Sequence, residues 1–188
     1  MRRFVPMMFM LLILPPVLAQ VLSSSSDASK KLQALFDEDW QWSLAQYPES
    51  ATLIGDNRFN DRLTDLSPEA IELRKTHESA MLDRIQKIDR SGLGGQEAIS
   101  YDLFLLDKKL NVEGQRFPGE LMPIDQMNGV QISFGQLVSN TPFRNAKDYE
   151  DYLARLAAFP KQLDQLIALM KRGIETKWVQ PAVPLRSL

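Results

Sequence analysis

The chain has 188 residues, 24% of them charged, a net charge of −2 and no cysteine. That balance provides no basic field for nucleic acid or an anionic membrane. Without thiols, neither disulfides nor thiolate metal sites can form.

The first residues read as an export leader. Arg2 and Arg3 form a short positive region, Phe4 to Leu14 is almost wholly apolar, and Val17-Leu18-Ala19 supplies small residues for cleavage after Ala19. Pro6, Pro15 and Pro16 interrupt a run that is also short for a membrane span. A signal peptide over 1–19 and a flexible serine-rich tether over 20–29 are therefore expected, which places the mature protein in the periplasm or outside the cell. Losing Arg2 and Arg3 from 22 basic residues against 24 acidic ones gives a mature charge of about −4.

Leu32, Leu35, Phe36, Trp40, Leu44 and Tyr47 recur at steps of three and four, predicting an amphipathic helix over 28–46 closed by Tyr47-Pro48. Trp42 lies off that stripe. Residues 48–66 read as a loop, with Gly55-Asp56-Asn57 and Asn60-Asp61 as turn signals. A calcium loop does not fit, because Arg58 and Asp61 stand at the third and sixth positions. Ser67-Pro68 then caps a helix carrying Leu73, His77, Met81, Ile85 and Ile88 on one face, ending near Ser91-Gly92. His77 is the one histidine, so it is expected to bond a neighbour rather than ligate a metal.

A third helix is predicted over 96–113. Ile99, Leu103, Leu106 and Leu110 mark one face, while Tyr101, Phe104 and Leu105 make its middle apolar nearly all round. Such a helix is expected to be buried on more than one side. Residues 117–143 break the helical pattern with three prolines and three glycines. An irregular stretch this long and this apolar is expected to line or cover something. Within it Val130 to Phe134 alternates like a short strand. Asn145 caps the last helix, whose stripe Tyr149, Leu153, Leu156, Pro160, Leu163, Ile167, Met170 and Ile174 has heptad spacing. That register predicts one proline-kinked helix to Thr176, roughly 45 Å long. From Trp178 onward an extended segment is expected. The fold class is all-α: about four amphipathic helices, one of them long, with a long irregular insertion. Residues 30–188 are expected to be the incomplete front portion of a larger helical fold.

No phosphate loop, His-Glu-x-x-His helix or serine elbow is present, so no catalytic residue and no metal ligand is assigned. The acidic runs Asp37-Glu38-Asp39 and Asp148 to Asp151 read as solvated helix faces. Asp125, Gln126 and Asn128 are the candidate substrate-binding residues, since they are polar groups in a packed, proline-punctuated stretch. Their alternative role is to satisfy the loop's own backbone.

Four motifs carry a resemblance. They are Tyr47-Pro48-Glu49-Ser50-Ala51-Thr52 with Gly55-Asp56; Met122 to Gly129; Tyr149-x-x-Tyr152-Leu153-x-Arg155-Leu156; and Gly173-Ile174 with Trp178-Val179-x-Pro181. From about residue 30 onward the chain resembles the bacterial domain-of-unknown-function 885 family. The resemblance implies a longer, mostly helical, exported parent similar to zinc metallopeptidases, whose metal-binding histidines lie downstream of anything present here. Zinc is thus expected in the full-length parent, and no cofactor in this chain. The expected partners are the remainder of the parent chain and a peptide substrate, with no nucleic acid and no stable membrane anchor after leader cleavage. On this expectation the chain forms one wall of a substrate cleft and is inactive alone. The alternative is a complete, non-catalytic, exported interaction module that offers the heptad stripe to a partner helix.

Overall fold

The computed structural model describes residues 26–125 and 127–182. The leader, most of the tether and Gln126 lie outside them. The described residues form six α-helices and no strand: α1 Asp27–Gln46, α2 Pro48–Leu53, α3 Pro68–Ile85, α4 Gly95–Gly114, α5 Val130–Asn140 and α6 Ala146–Thr176. The protein is all-α.

The helix starts follow the capping chemistry. Ser67 accepts a bond from the Ala70 amide ahead of Pro68, and Asn145 accepts one from the Asp148 amide. Ser26 caps α1 in the same way, so the helix begins inside the expected tether. Ser29 is buried there, and its hydroxyl donates to Glu97 at 2.5 Å.

The apolar core lies among α1, α3 and α4. Leu32, Leu35, Met81, Ile85 and Tyr101 are buried together with Ile88 and Leu93 from the α3–α4 connection. Phe36 and Phe104 meet at its edge, with ring centroids 4.9 Å apart. α3 ends at Ile85, earlier than expected, because the chain then turns through residues 90–92 under an Asp89 cap.

Three expectations are corrected. Residues 48–66 are not all loop: Pro48 ends α1 and also opens α2, since proline suits a first helical position. Val130 to Phe134 is the start of α5, not a strand. Five alternating residues also fit a helix in which Val130, Phe134 and Leu137 share a face; Leu137 is buried, and Phe134 stacks on Phe159 of α6 at 3.4 Å. Finally, α4 is covered on one side only. Tyr101 and Lys108 face inward, which leaves Ile99, Leu103, Leu106 and Leu110 outside, with Leu103 62% exposed.

α6 runs unbroken through Pro160, as the heptad register predicts. Its heptad stripe, however, faces out: Tyr149, Leu153, Ile167 and Ile174 are exposed, Ile174 by 67%. The buried face holds Asp148, Asp151, Arg155, Leu166, Leu169 and Gly173. The helix closes with Lys177 in the left-handed region at φ 64°, the Trp178 amide donating to the Gly173 carbonyl at 2.8 Å and the Lys177 amide to Ile174 at 3.3 Å. This is the paired-bond stop usually built on glycine. From Trp178 to Pro181 the chain is non-helical, as expected, but Ala182, the last described residue, is helical.

Gly173 allows the turn at Gly119–Leu121 to approach α6. A methyl group there would lie 2.6 Å from the Trp178 carbonyl oxygen and 2.9 Å from that of Leu121. Both obstacles are backbone, so Gly173→Ala is predicted to cost about 1–3 kcal/mol, lowering the thermal midpoint by roughly 2–10 °C. An unchanged midpoint would mean that α6 and this turn do not pack as described.

Candidate functional site: a buried polar lock and an open groove

Arg155 is completely buried on α6. Its Nε donates to the Arg62 carbonyl at 2.8 Å, and its Nη2 to the Thr52 hydroxyl at 2.7 Å and to the Pro48 and Phe59 carbonyls at 3.1 and 3.2 Å. One planar side chain thus gathers α2, the 3₁₀ turn at Asn57–Phe59 and the non-helical link after it. Thr52 continues the network to Asn60 at 2.6 Å. Burial pushes the Arg155 guanidinium below its usual value, against the opposing charges of Glu49, Asp61 and Asp151.

Gln162 and Gln165 extend the lock along the same side of α6. Gln162 donates to Glu49 and to the Thr64 carbonyl, while the Glu49 carboxylate accepts from the Thr64 amide and hydroxyl. Gln165 donates to Asp65 at 2.7 Å and accepts from the Leu66 amide. Backbone groups of a segment with little secondary structure are satisfied here by side chains from a helix about 100 residues away.

A second polar cluster lies between α1, α3 and α4. His77 Nε2 meets Asp39 Oδ1 at 2.8 Å, and its ring stacks on Trp42 at 3.6 Å. The expectation that His77 bonds a neighbour holds, and the off-stripe Trp42 finds its cover. Lys108, only 4% exposed, reaches Asp39 Oδ2 at 3.0 Å and Glu78 at 3.1 Å. Burial acts to lower the Lys108 pKa, but the bonds to Asp39 and Glu78 outweigh it, so the ammonium is held above its usual value.

Asp39 and Lys108 of this cluster floor a cleft of about 750 Å³ between α1 and α4, walled by Phe36, Trp40, Leu103 and Phe104 and edged by Asp37 and Asp107. It is the chain's candidate binding site, with aromatic walls and a few convergent polar groups. Among the described residues no three of His, Asp and Glu are placed to hold a metal ion.

Of the three sequence-assigned residues, Asp125 and Asn128 lie elsewhere. Asp125 accepts bonds from the Met127 and Asn128 amides at 2.7 Å and from the Asn128 side chain. These bonds hold its carboxyl below the usual range, and they spend it on closing its own loop. Asn128 is exposed. Gln126 is outside the described residues. The acidic runs are solvated at Asp37, Glu38 and Glu150, as expected, but Asp39, Asp148 and Asp151 are buried, because each meets a cation or caps a helix start. Arg155 and Lys108 had no signal as single letters. The line Arg155, Gln162, Gln165 at steps of seven and three was the pattern that could have revealed the lock.

The described helices thus define an all-α scaffold pinned by buried polar contacts, with its widest apolar faces open. Residues 48–188 match the family model described as "Bacterial protein of unknown function (DUF885)", and the chain belongs to that family. Comparison with curated proteins and with solved structures found no match. The four motifs pair in space. Arg155 joins the third motif to Pro48 and Thr52 of the first, and Met122 to Ile124 of the second share a small cavity with Ile174 and Val179 of the fourth. The α1 residues of the groove precede the matched region.

Lys108 yields a pH prediction. Its folded pKa is raised, so its contribution is complete below its ordinary value near 10.5 and is lost as pH rises through the higher folded value. Lys108→Met leaves Asp39 and Glu78 facing each other and should cost about 3 kcal/mol. Denaturant melts should show that difference constant from about pH 8 to 9.5 and shrinking above about 10.5. A difference that already fades between pH 8 and 9.5 would place the lysine's titration, and so the cluster, elsewhere.

Proposed function

We propose that this chain is the N-terminal portion of an exported helical peptidase and forms one wall of its substrate cleft. The observation that carries the reading is the α1–α4 groove, which continues into the exposed Leu103, Leu106 and Leu110 face of α4. The family match itself names no activity; a peptidase parent is what the resemblance implies, and the leader-like first 19 residues support export. The described residues do not fit a zinc site: the chain has no cysteine, and its histidine is engaged with Asp39 and Trp42. No catalytic step is therefore assigned to this chain, whose part is to position and desolvate a substrate. The remainder of the parent chain would supply the reacting groups and cover the outward face of α6.

A second reading is favoured by that same α6 face. Four exposed apolar residues at heptad positions suit a non-catalytic module that packs against a partner helix.

Steady-state kinetics on the full-length parent separates the two. Trp40→Ala and Leu103→Ala alter exposed side chains and should leave the thermal midpoint unchanged. Each is predicted to raise KM for peptide hydrolysis at least about fivefold with kcat within about twofold, the mark of lost uniform binding. Gln126→Ala and Asn128→Ala, run alongside, test whether the 123–134 stretch also touches substrate. A parent that hydrolyses no peptide, or groove variants with unchanged kcat/KM, would overturn the cleft-wall reading.

A further inference from the structure

We infer that the α1–α4 groove selects a peptide segment in which a basic side chain lies beside a bulky apolar one. This deepens the cleft-wall reading and rests on it for the word substrate.

The groove's walls and its charge point the same way. Phe36, Trp40 and Phe104 present aromatic rings, Trp40 being 53% exposed. Aromatic faces carry negative potential and attract ammonium and guanidinium groups. Beneath them, Lys108 is shared by Asp39 and Glu78, so one cation meets two carboxylates. Phe104 already takes the Lys108 ammonium, 5.0 Å from its ring centre. Phe36 packs against Phe104 at the core, which leaves the exposed Trp40 ring for an incoming group.

The rim adds to this negative balance. Among the described residues, Asp37 receives only the side-chain amide of Gln33, at 2.9 Å. Asp107 receives the Asn111 amide at 3.2 Å and stands 3.8 Å from the Lys108 ammonium, which is engaged more closely by Asp39 and Glu78. An anionic or purely apolar occupant would bury these carboxylates uncompensated. A basic side chain extending from an apolar segment meets both demands: its stem lies on the rings while its head reaches Asp37 or Asp107. Leu103, in the groove wall, offers the apolar neighbour a seat.

The test is fluorescence anisotropy on the full chain with two dye-labelled, end-capped ten-residue peptides. They differ at one central position, arginine or glutamate, between leucines. The arginine peptide should bind at least tenfold more tightly. Asp37→Asn and Asp107→Asn, both at exposed positions, should each weaken it at least fivefold, and rising salt should erode the preference. Affinities within twofold of each other, binding of neither peptide, or unchanged binding to both variants would overturn the inference. So would sedimentation showing that a second copy of the chain fills the groove. A preference for arginine in a chain whose parent hydrolyses no peptide would keep this inference and remove the peptidase reading. Hydrolysis by the parent without the preference would remove the inference alone.

Discussion

The Arg155 guanidinium is the contact on which the arrangement of α6 depends. α1, α3 and α4 are joined by apolar burial, the non-directional force that brings helices together without fixing much else. α6 is held in that way only in part, through buried Leu166 and Leu169 and the Phe134–Phe159 stack. Its leucine and isoleucine stripe faces outward, and its inner face reaches residues 48–66 through Arg155, Gln162 and Gln165. A planar, five-donor group can satisfy several carbonyls at fixed angles, which a lysine cannot. Taking a charge out of water is costly, so this contact contributes geometry more than net stability. It sets where α6 lies, and through Gly173 and Leu121 it sets where the next turn lies.

The same logic governs the cluster under the groove. Asp39, His77, Glu78 and Lys108 come from three helices, and each satisfies another's charge or hydrogen-bonding demand. Removing one partner strands the rest in a poorly solvated place. The three helices are therefore fixed in register as well as packed, and the groove above them keeps a defined shape. Its aromatic walls and polar floor are parts of one construction.

How much of this was legible follows from what each residue does. The starts of α3 and α6 were readable because Ser67-Pro68 and Asn145 act locally, on amides three residues away. Continuity through Pro160 was readable because the apolar register did not slip. The direction in which α6 faces was not readable. Periodicity identifies the apolar side of a helix, and it took the whole fold to bury the side bearing Asp148, Asp151 and Arg155. Asp39 looked like one acid among three until Lys108, 69 positions later, arrived beside it. Val130 to Phe134 misled for a simpler reason: five residues fit either period, and Phe159 decided between them.

The central claim is that Arg155 holds the 48–66 segment on α6 through directed bonds, separately from the apolar core. Native-state hydrogen exchange on Arg155→Lys tests it directly. The charge is kept and the fork is lost. The Thr64 and Leu66 amides, which donate to Glu49 and Gln165, should lose about a hundredfold in protection, or roughly 3 kcal/mol. The Met81 and Ile85 amides in the α3 core should stay within about tenfold of the original. Unchanged protection at Thr64 and Leu66, or equal loss at all four, would contradict the account.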